Sequence, residues 1–478
     1  MAVGSSNDFD VVVLGAGTGG YTAAFRAAQL GLRVALVDED KIGGTCLHRG
    51  CIPTKALLES AEVMNRAHHL KDYGVVFKGE PSVDYPQMAA RRDQVVKRMW
   101  TGLKTLVDKN KVAWVQGRGR LEGPGRIRVS QTAGEGATGG ERLLQATDII
   151  LATGSRVKSL AGLTPDGERI LTSDDILRRA DAPKSIVIVG GGAVGVEFAS
   201  FFHDIGTAVT LLEYLPALVP LEDRDVSQLV EKSFTRRGMK VMTKARFDAT
   251  KVQVTKDGVC VDVGPEGGPT EEVKAEVMLV AAGRAANVED IGLETTRVEV
   301  DKGLVKVNGK MRTREPHIYA IGDMIGGLWL AHVAAHEGII AAHTIAGDKD
   351  VHEMDYVKQP RATYCRPEIA SIGLTTQQCE EQGLPTKVGR MPFQAIAKAL
   401  VGGEYEGFVK VIGHGETDDT LGIHIVGPHA TDLIGEASVA LSLDATPWEI
   451  GAATHAHPTL AEAIGEAAMA VDGRSINF

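Results

Sequence analysis

The sequence predicts an α/β protein in which one parallel-sheet unit is built twice. Three observations predict it. Short β-branched apolar runs end in glycine-rich turns, a helical stretch follows each turn, and a second apolar strand then ends in a carboxylate. The order appears at residues 10–38 and recurs at 185–213.

In the first unit, DVVVLG at 10–15 reads as a buried parallel strand. Gly15-Ala16-Gly17-Thr18-Gly19-Gly20 follows, then the Ala-rich YTAAFRAAQLGL, a helix closed by Gly31. The strand RVALVD ends at Asp38. In the second unit the pieces are SIVIVG, Gly190-Gly191-Gly192-Ala193-Val194-Gly195, VEFASFFHDIG and AVTLLE, ending at Glu213. Gly15 and Asp38 are 23 positions apart, and so are Gly190 and Glu213. One GxGxxG alone is weak. Two of them, each with strand, helix and terminal acid, define two Rossmann-like dinucleotide-binding domains. Gly15, Gly17 and Gly20, with Gly190, Gly192 and Gly195, allow a tight turn, close approach of a pyrophosphate and close helix packing, with the phosphates at a helix N-terminus. Each acid accepts from ribose hydroxyls and repels a 2′-phosphate; Glu213, with no Arg after it, favours NAD over NADP.

Glycine turns also follow the strands in IILATGS (149–155) and VMLVAAGR (277–284), and HIYAIGDM (317–324) carries Asp323 into a turn. GPEGGPTEE (264–272) and QTAGEGATGG (131–140) read as hairpin loops, and the first seven residues as a loose tail.

Composition narrows the function classes. A chain of 478 residues exceeds one ordinary core. Its 52 basic and 62 acidic residues give −10, with no basic stripe for nucleic acid. No apolar run reaches the roughly 18 residues of a membrane span. No export signal is visible, and five cysteines do not make a secreted disulfide scaffold, so a cytoplasmic setting is expected.

Two of those cysteines lie in GGTCLHRGCIPTK (43–55). They could be a redox couple, metal ligands or core residues. Zinc sites want four ligands, and Cys260, Cys365 and Cys379 are isolated, so no metal is expected. The glycines around the pair make a helix interior an unusual reading. A redox couple sets a geometric condition, because positions five apart on a helix lie about 7.5 Å along its axis whereas a disulfide wants Cα atoms roughly 4.4 to 6.8 Å apart. The segment must bend near Gly50, with a regular helix beginning near Cys51. That helix N-terminus would favour a thiolate. The redox reading is favoured, and two nucleotide sites beside a dithiol call for a flavin between them, which makes the first site an FAD site.

With these motifs assembled, and with LAHVAAHEG (330–338) and HAHPTLAE (455–462), nearly the whole chain resembles the flavin-containing pyridine nucleotide–disulfide oxidoreductases. The sequence CIPTK places the resemblance in the branch that acts on lipoamide. It implies oxidation of a protein-bound dihydrolipoyl group through Cys46 and Cys51, with NAD+ as final acceptor. It also implies a partner lipoyl domain of a 2-oxo acid dehydrogenase or glycine cleavage complex. Cys46 would be the outer, interchange sulfur and Cys51 the one against the flavin. His457 would be the base and Glu462 its orienter, with the active site shared across a homodimer and His457-Pro458 a candidate cis peptide. Lys55 would bring positive charge near the flavin, and Glu197 could face it and pair with Lys55. The resemblance assigns Gly44, Thr45, Asp38, Thr153, Gly154, Asp323, Ala331 and His332 to FAD, and Gly283, Arg284 and Glu213 to NAD. It divides the chain into an FAD domain (1–157), an NAD domain (158–286), a central domain (287–356) and an α+β C-terminal dimerisation domain (357–478). His48-Arg49 departs from the family pattern, and Cys260, Cys365 and Cys379 read as small buried hydrophobes. Reduction of another small disulfide, or flavin binding without turnover, are the rival readings.

Overall fold

The computed structural model describes residues 7–76, 78–130 and 140–477. The tail at 1–6 and all but the last residue of the loop 131–140 lie outside them. The chain divides into two compact units. The first comprises Met1–Ala56, Ala89–Lys158 and Arg284–Tyr356; the second comprises Leu57–Met88, Ser159–Gly283 and Val357–Phe478.

In the first unit, strand Asp8–Leu14 is central. It pairs in parallel with Val34–Asp38 on one side (Val11 opposite Val34) and with Glu141–Leu151 on the other (Leu14 opposite Leu151). Ala113–Gln116 extends one edge in parallel. The long strand Glu141–Leu151 shares its far edge between antiparallel Arg126–Ser130 and parallel Ile318–Ala320. Val11, Val12, Val13 and Ile150 are fully buried, as a parallel strand covered on both faces requires.

The second unit repeats the arrangement. Ser185–Val189 lies between Ala208–Leu212 and Val277–Val280, all parallel, with Lys240–Met242 and Ile170–Leu171 at the edges. Thus the terminal-acid strand again neighbours the glycine-turn strand. The loop read from GPEGGPTEE joins antiparallel strands Gly258–Pro265 and Glu271–Ala275, a hairpin as expected. The C-terminal part of this unit is α+β. Five antiparallel strands (Arg361–Thr363, Glu368–Gly373, Thr420–Gly427, Phe408–His414 and Thr386–Pro392) pack a core of Phe393, Ile423 and Ile425 against helices Ala430–Ser442 and Glu462–Ala470.

Cys365 and Cys379 are buried, but Cys260 corrects the expectation made for it. In Gly258–Pro265 the inward residues are Val259 and Val261, so strand alternation turns Cys260 outward, where its thiol donates to Glu272 at 3.2 Å.

Candidate active site

The glycine turns form two matching cradles. Gly15 and Gly190 hold φ of +106° and +111°, and a Cβ on Gly20 or Gly195 would overlap the carbonyl oxygen of Gly15 or Gly190. Glycine is therefore required at these positions by the backbone itself. Gly17 and Gly192 differ, since nothing lies within 4 Å of where their Cβ atoms would stand. Each is the extended N-cap of its helix, Thr18–Gln29 or Ala193–Asp204, without a side-chain cap. The leading N–H groups of both helices therefore have no side-chain cap, and room is left beside their N-caps, as a pyrophosphate needs.

The terminal acids are built alike. Asp38 accepts the Ala16 N–H at 2.6 Å and the Asp40 N–H at 2.9 Å. Glu213 accepts the Gly191 and Leu215 N–H groups, both at 2.6 Å. Burial pushes the Asp38 carboxyl up, against these hydrogen bonds. These residues fit dinucleotide cofactors at both turns.

The dithiol segment meets the bend that its chemistry needs. A short helix, Gly44–Arg49, ends at Gly50 (φ −140°, ψ −108°), and a new helix, Cys51–His69, begins at once. The segment is fastened to the first cradle: the Gly43 N–H donates to Ala16 O at 2.8 Å, and a Cβ on Gly44 would lie 2.6 Å from Gly17 Cα. Thr45 lies in the first turn of the short helix. Within that helix, His48 Nε2 contacts Ile42 O at 2.9 Å and its ring meets Trp100 edge-on, while Arg49 reaches Asp40 at 3.2 Å. The two residues that depart from the family pattern thus tie the short helix to its own flanks.

Both cysteines are thiols in this structure. The Cys46 thiol is pushed far above its usual range, first by its hydrogen bond with Cys51, then by burial and by the Cys51 charge. The Thr18 hydroxyl and the Lys55 charge act in the opposite direction. Such a pair releases one proton and holds the second. Tyr21, raised mainly by burial, also feels both sulfurs.

Around the other turns of this unit, Thr153 Oγ1 donates to Asn287 O at 2.6 Å, and the Asn287 N–H donates to Gly154 O at 2.9 Å. Ser155 Oγ donates to Asp323. Arg284, anticipated at the second nucleotide, puts its guanidinium on Ser155 Oγ at 2.7 Å and lies 3.9 Å from Asp323. Gly283 (φ +104°) has nothing within 4 Å of its Cβ position. Ala331 and His332 open the helix Ala331–Ile345.

In the second unit, Glu197 is buried and accepts the Tyr364 N–H at 2.9 Å. His457 Nδ1 lies 2.9 Å from Glu462 Oε1, and the Thr459 N–H holds the other carboxylate oxygen at 2.8 Å. The His457 hydrogen bond is the first cause that lowers the Glu462 carboxyl. A carboxylate there fixes the proton on Nδ1 and leaves Nε2 as acceptor. The His457 side chain is 73% exposed, and its bond to Pro458 is cis. His455 Nε2 contacts Glu436 at 2.7 Å.

Sequence reasoning singled out the cysteines, the acids and the His–Glu pair. It missed Thr18, Tyr21, Ser155 and Asn287. Thr18 was within reach, being a hydroxyl inside the first glycine turn.

The pyridine nucleotide-disulphide oxidoreductase family matches residues 9–338, and its dimerisation domain matches residues 359–468. The chain belongs to this family. It is an oxidoreductase of a flavin- and NAD-dependent class, and its dimerisation domain makes it a homodimer. It is similar to the dihydrolipoyl dehydrogenase of Bacillus subtilis, 46% identical over 99% of this chain and 100% of that one. It is also similar to the dihydrolipoyl dehydrogenase of Zymomonas mobilis, 41% identical over 99% and 100%. Among solved structures, LpdA of Mycobacterium tuberculosis superposes with a TM-score of 0.86 at 29% identity, covering 96% of this chain and 98% of that one. Among the described residues, no helix is long and apolar enough to cross a membrane.

Proposed function

We propose that the chain is a dihydrolipoyl dehydrogenase, oxidising the dihydrolipoyl group of a lipoyl domain with NAD+ as final acceptor. The carrying observation is the Cys46–Cys51 pair at a helix break fastened to the first glycine turn. The relatives at 46% and 41% identity support the choice of substrate.

In the oxidised enzyme Cys46 and Cys51 form a disulfide. His457, its imidazole oriented by Glu462, takes the proton from one dihydrolipoyl thiol. The resulting thiolate attacks Cys46; the Cys46–Cys51 bond breaks, and Cys51 leaves as thiolate at its helix N-terminus. The second substrate sulfur, its proton passing to the departing Cys46 sulfur, attacks the first, closing the lipoyl disulfide and leaving Cys46 as thiol beside the Cys51 thiolate. Lys55 and Thr18 favour the charged state of the reduced pair. FAD, when bound, supplies a two-electron carrier between the dithiol and the nicotinamide. Gly15, Gly17, Gly20, Asp38, Gly44, Thr45, Thr153, Gly154, Asp323, Ala331 and His332 would hold it. Gly190, Gly192, Gly195, Glu197, Glu213, Gly283 and Arg284 would serve the NAD side. His457 acts in the active site of the other subunit, and the domain division at 157, 286 and 356 accompanies this reading, as does a cytoplasmic setting.

Cys51→Ser is expected to abolish lipoamide-dependent NADH formation; retained full turnover would end the proposal. His457→Gln should slow thiol oxidation by about 100-fold or more, while NADH-driven reduction of an artificial dye falls far less. Equal losses in both assays would remove His457 as the base.

A further inference from the structure

Helix Ala331–Ile345 carries a charge that packing alone does not require. Glu337 is 1% exposed, and burying an ionisable carboxyl is costly unless its oxygens are matched. Both are matched. One oxygen accepts the Gly322 N–H at 2.6 Å, and the other accepts the Tyr356 hydroxyl at 2.8 Å. Gly322 stands at φ +74°, immediately before Asp323. Burial raises the Glu337 carboxyl, and the Asp323 charge pushes it the same way, so the two carboxylates sense one another. The helix itself is fixed: a Cβ on Gly338 would lie 2.7 Å from Gly19 O, so its backbone rests on the helix of the first glycine turn.

We propose that Glu337, anchored by Tyr356, is a positioning residue that holds the Gly322–Asp323 turn and thereby sets how firmly the flavin is retained. Asp323 is held from its own side by Ser155, with Arg284 nearby. Glu337 holds the peptide before it from the helix. The carboxylate thus acts on the cofactor through the backbone of a neighbouring residue, without touching it. This inference rests on the reading of Asp323 as a flavin ligand.

The test is the rate of FAD release from the purified holoenzyme, followed by the fluorescence of freed flavin after dilution. Four variants are compared: Asp323→Ala, Glu337→Gln, Tyr356→Phe and the double variant Asp323→Ala/Glu337→Gln. Glu337→Gln should speed release about tenfold and Tyr356→Phe about threefold, the scale of one buried hydrogen bond lost or weakened. Because Glu337 acts through the Asp323 turn, the double variant should release FAD within about twofold of Asp323→Ala alone, whereas independent sites would multiply their effects. Release at the parent rate in Glu337→Gln, or full multiplication in the double variant, overturns the inference and leaves Asp323 as ligand. Parent-rate release in Asp323→Ala overturns the assignment of Asp323 and this inference with it. Should Glu337→Gln not fold, Tyr356→Phe decides, and release at the parent rate then counts against the proposal.

Discussion

Gly19 and Val194 occupy the same place in the two glycine turns, and their surroundings differ. Gly19 is buried, and a Cβ there would lie 3.0 Å from Ala334 O and close to the Ala334 side chain. Val194 is 42% exposed. The first turn is covered by another helix of its own unit, and small residues let the backbones approach. The helix after the second turn instead buries Phe198, Phe201 and Phe202, with the rings of Phe201 and Phe202 4.9 Å apart, and leaves its leading residue uncovered. Both turns share one backbone geometry, but of the two only the first has a helix packed over this position. That difference suits a resident ligand at the first turn and an exchanging one at the second.

The largest effect should come from erasing the difference. Gly19→Val places a branched side chain against Ala334, overpacking of a kind that costs about 1–3 kcal/mol. The purified variant should carry little flavin, read as the ratio of visible to ultraviolet absorbance. The reverse exchange, Val194→Gly, should change the KM for NAD+ by less than about threefold, since it removes an exposed side chain at the start of a helix. Normal flavin content in Gly19→Val would break the account of the covering helix.

Glu213→Ala comes next. Losing the acceptor for the ribose should raise the KM for NAD+ about tenfold, while the flavin spectrum stays as in the parent. A loss of flavin from this variant would show that the two units are not separable.

The smallest effect concerns Asp38. Burial raises its carboxyl, so the folded chain holds this proton more tightly than the unfolded chain does. Its ionised form therefore costs stability as pH rises through the ordinary carboxyl range, and the cost vanishes at lower pH. In flavin-free protein, Asp38→Asn should melt about 2 °C above the parent at pH 7, and the gap should close on acidification. A gap that widens toward acid would reverse the sign of this argument.

Much of this was legible because strands, turns and helices in the two units repeat at a fixed spacing. The bend at Gly50 could be anticipated from the reach of a disulfide alone. What stayed hidden depends on contacts between distant segments. The resemblance assigned Arg284 to the second nucleotide, but its bond to Ser155 was not legible, since it depends on Arg284–Ala286 pairing with Ser155–Val157 as a separate two-stranded ribbon. Cys260 looked like a core residue by type, yet Val259, Val261 and Val263 take the inward side of its strand and leave Cys260 partly exposed. Glu337 lies inside LAHVAAHEG without a role assigned to it and Tyr356 lies in loop sequence, and only the chain Tyr356–Glu337–Gly322 gives them meaning.

The Gly43–Ala16 hydrogen bond and the seat of Gly44 on Gly17 make the sulfur-bearing segment lean on the first glycine turn. A shift of either segment is therefore felt by the other, because the two share a hydrogen bond and a glycine-on-glycine seat. Alkylation of Cys46 should accordingly proceed at different speeds in empty and flavin-loaded protein.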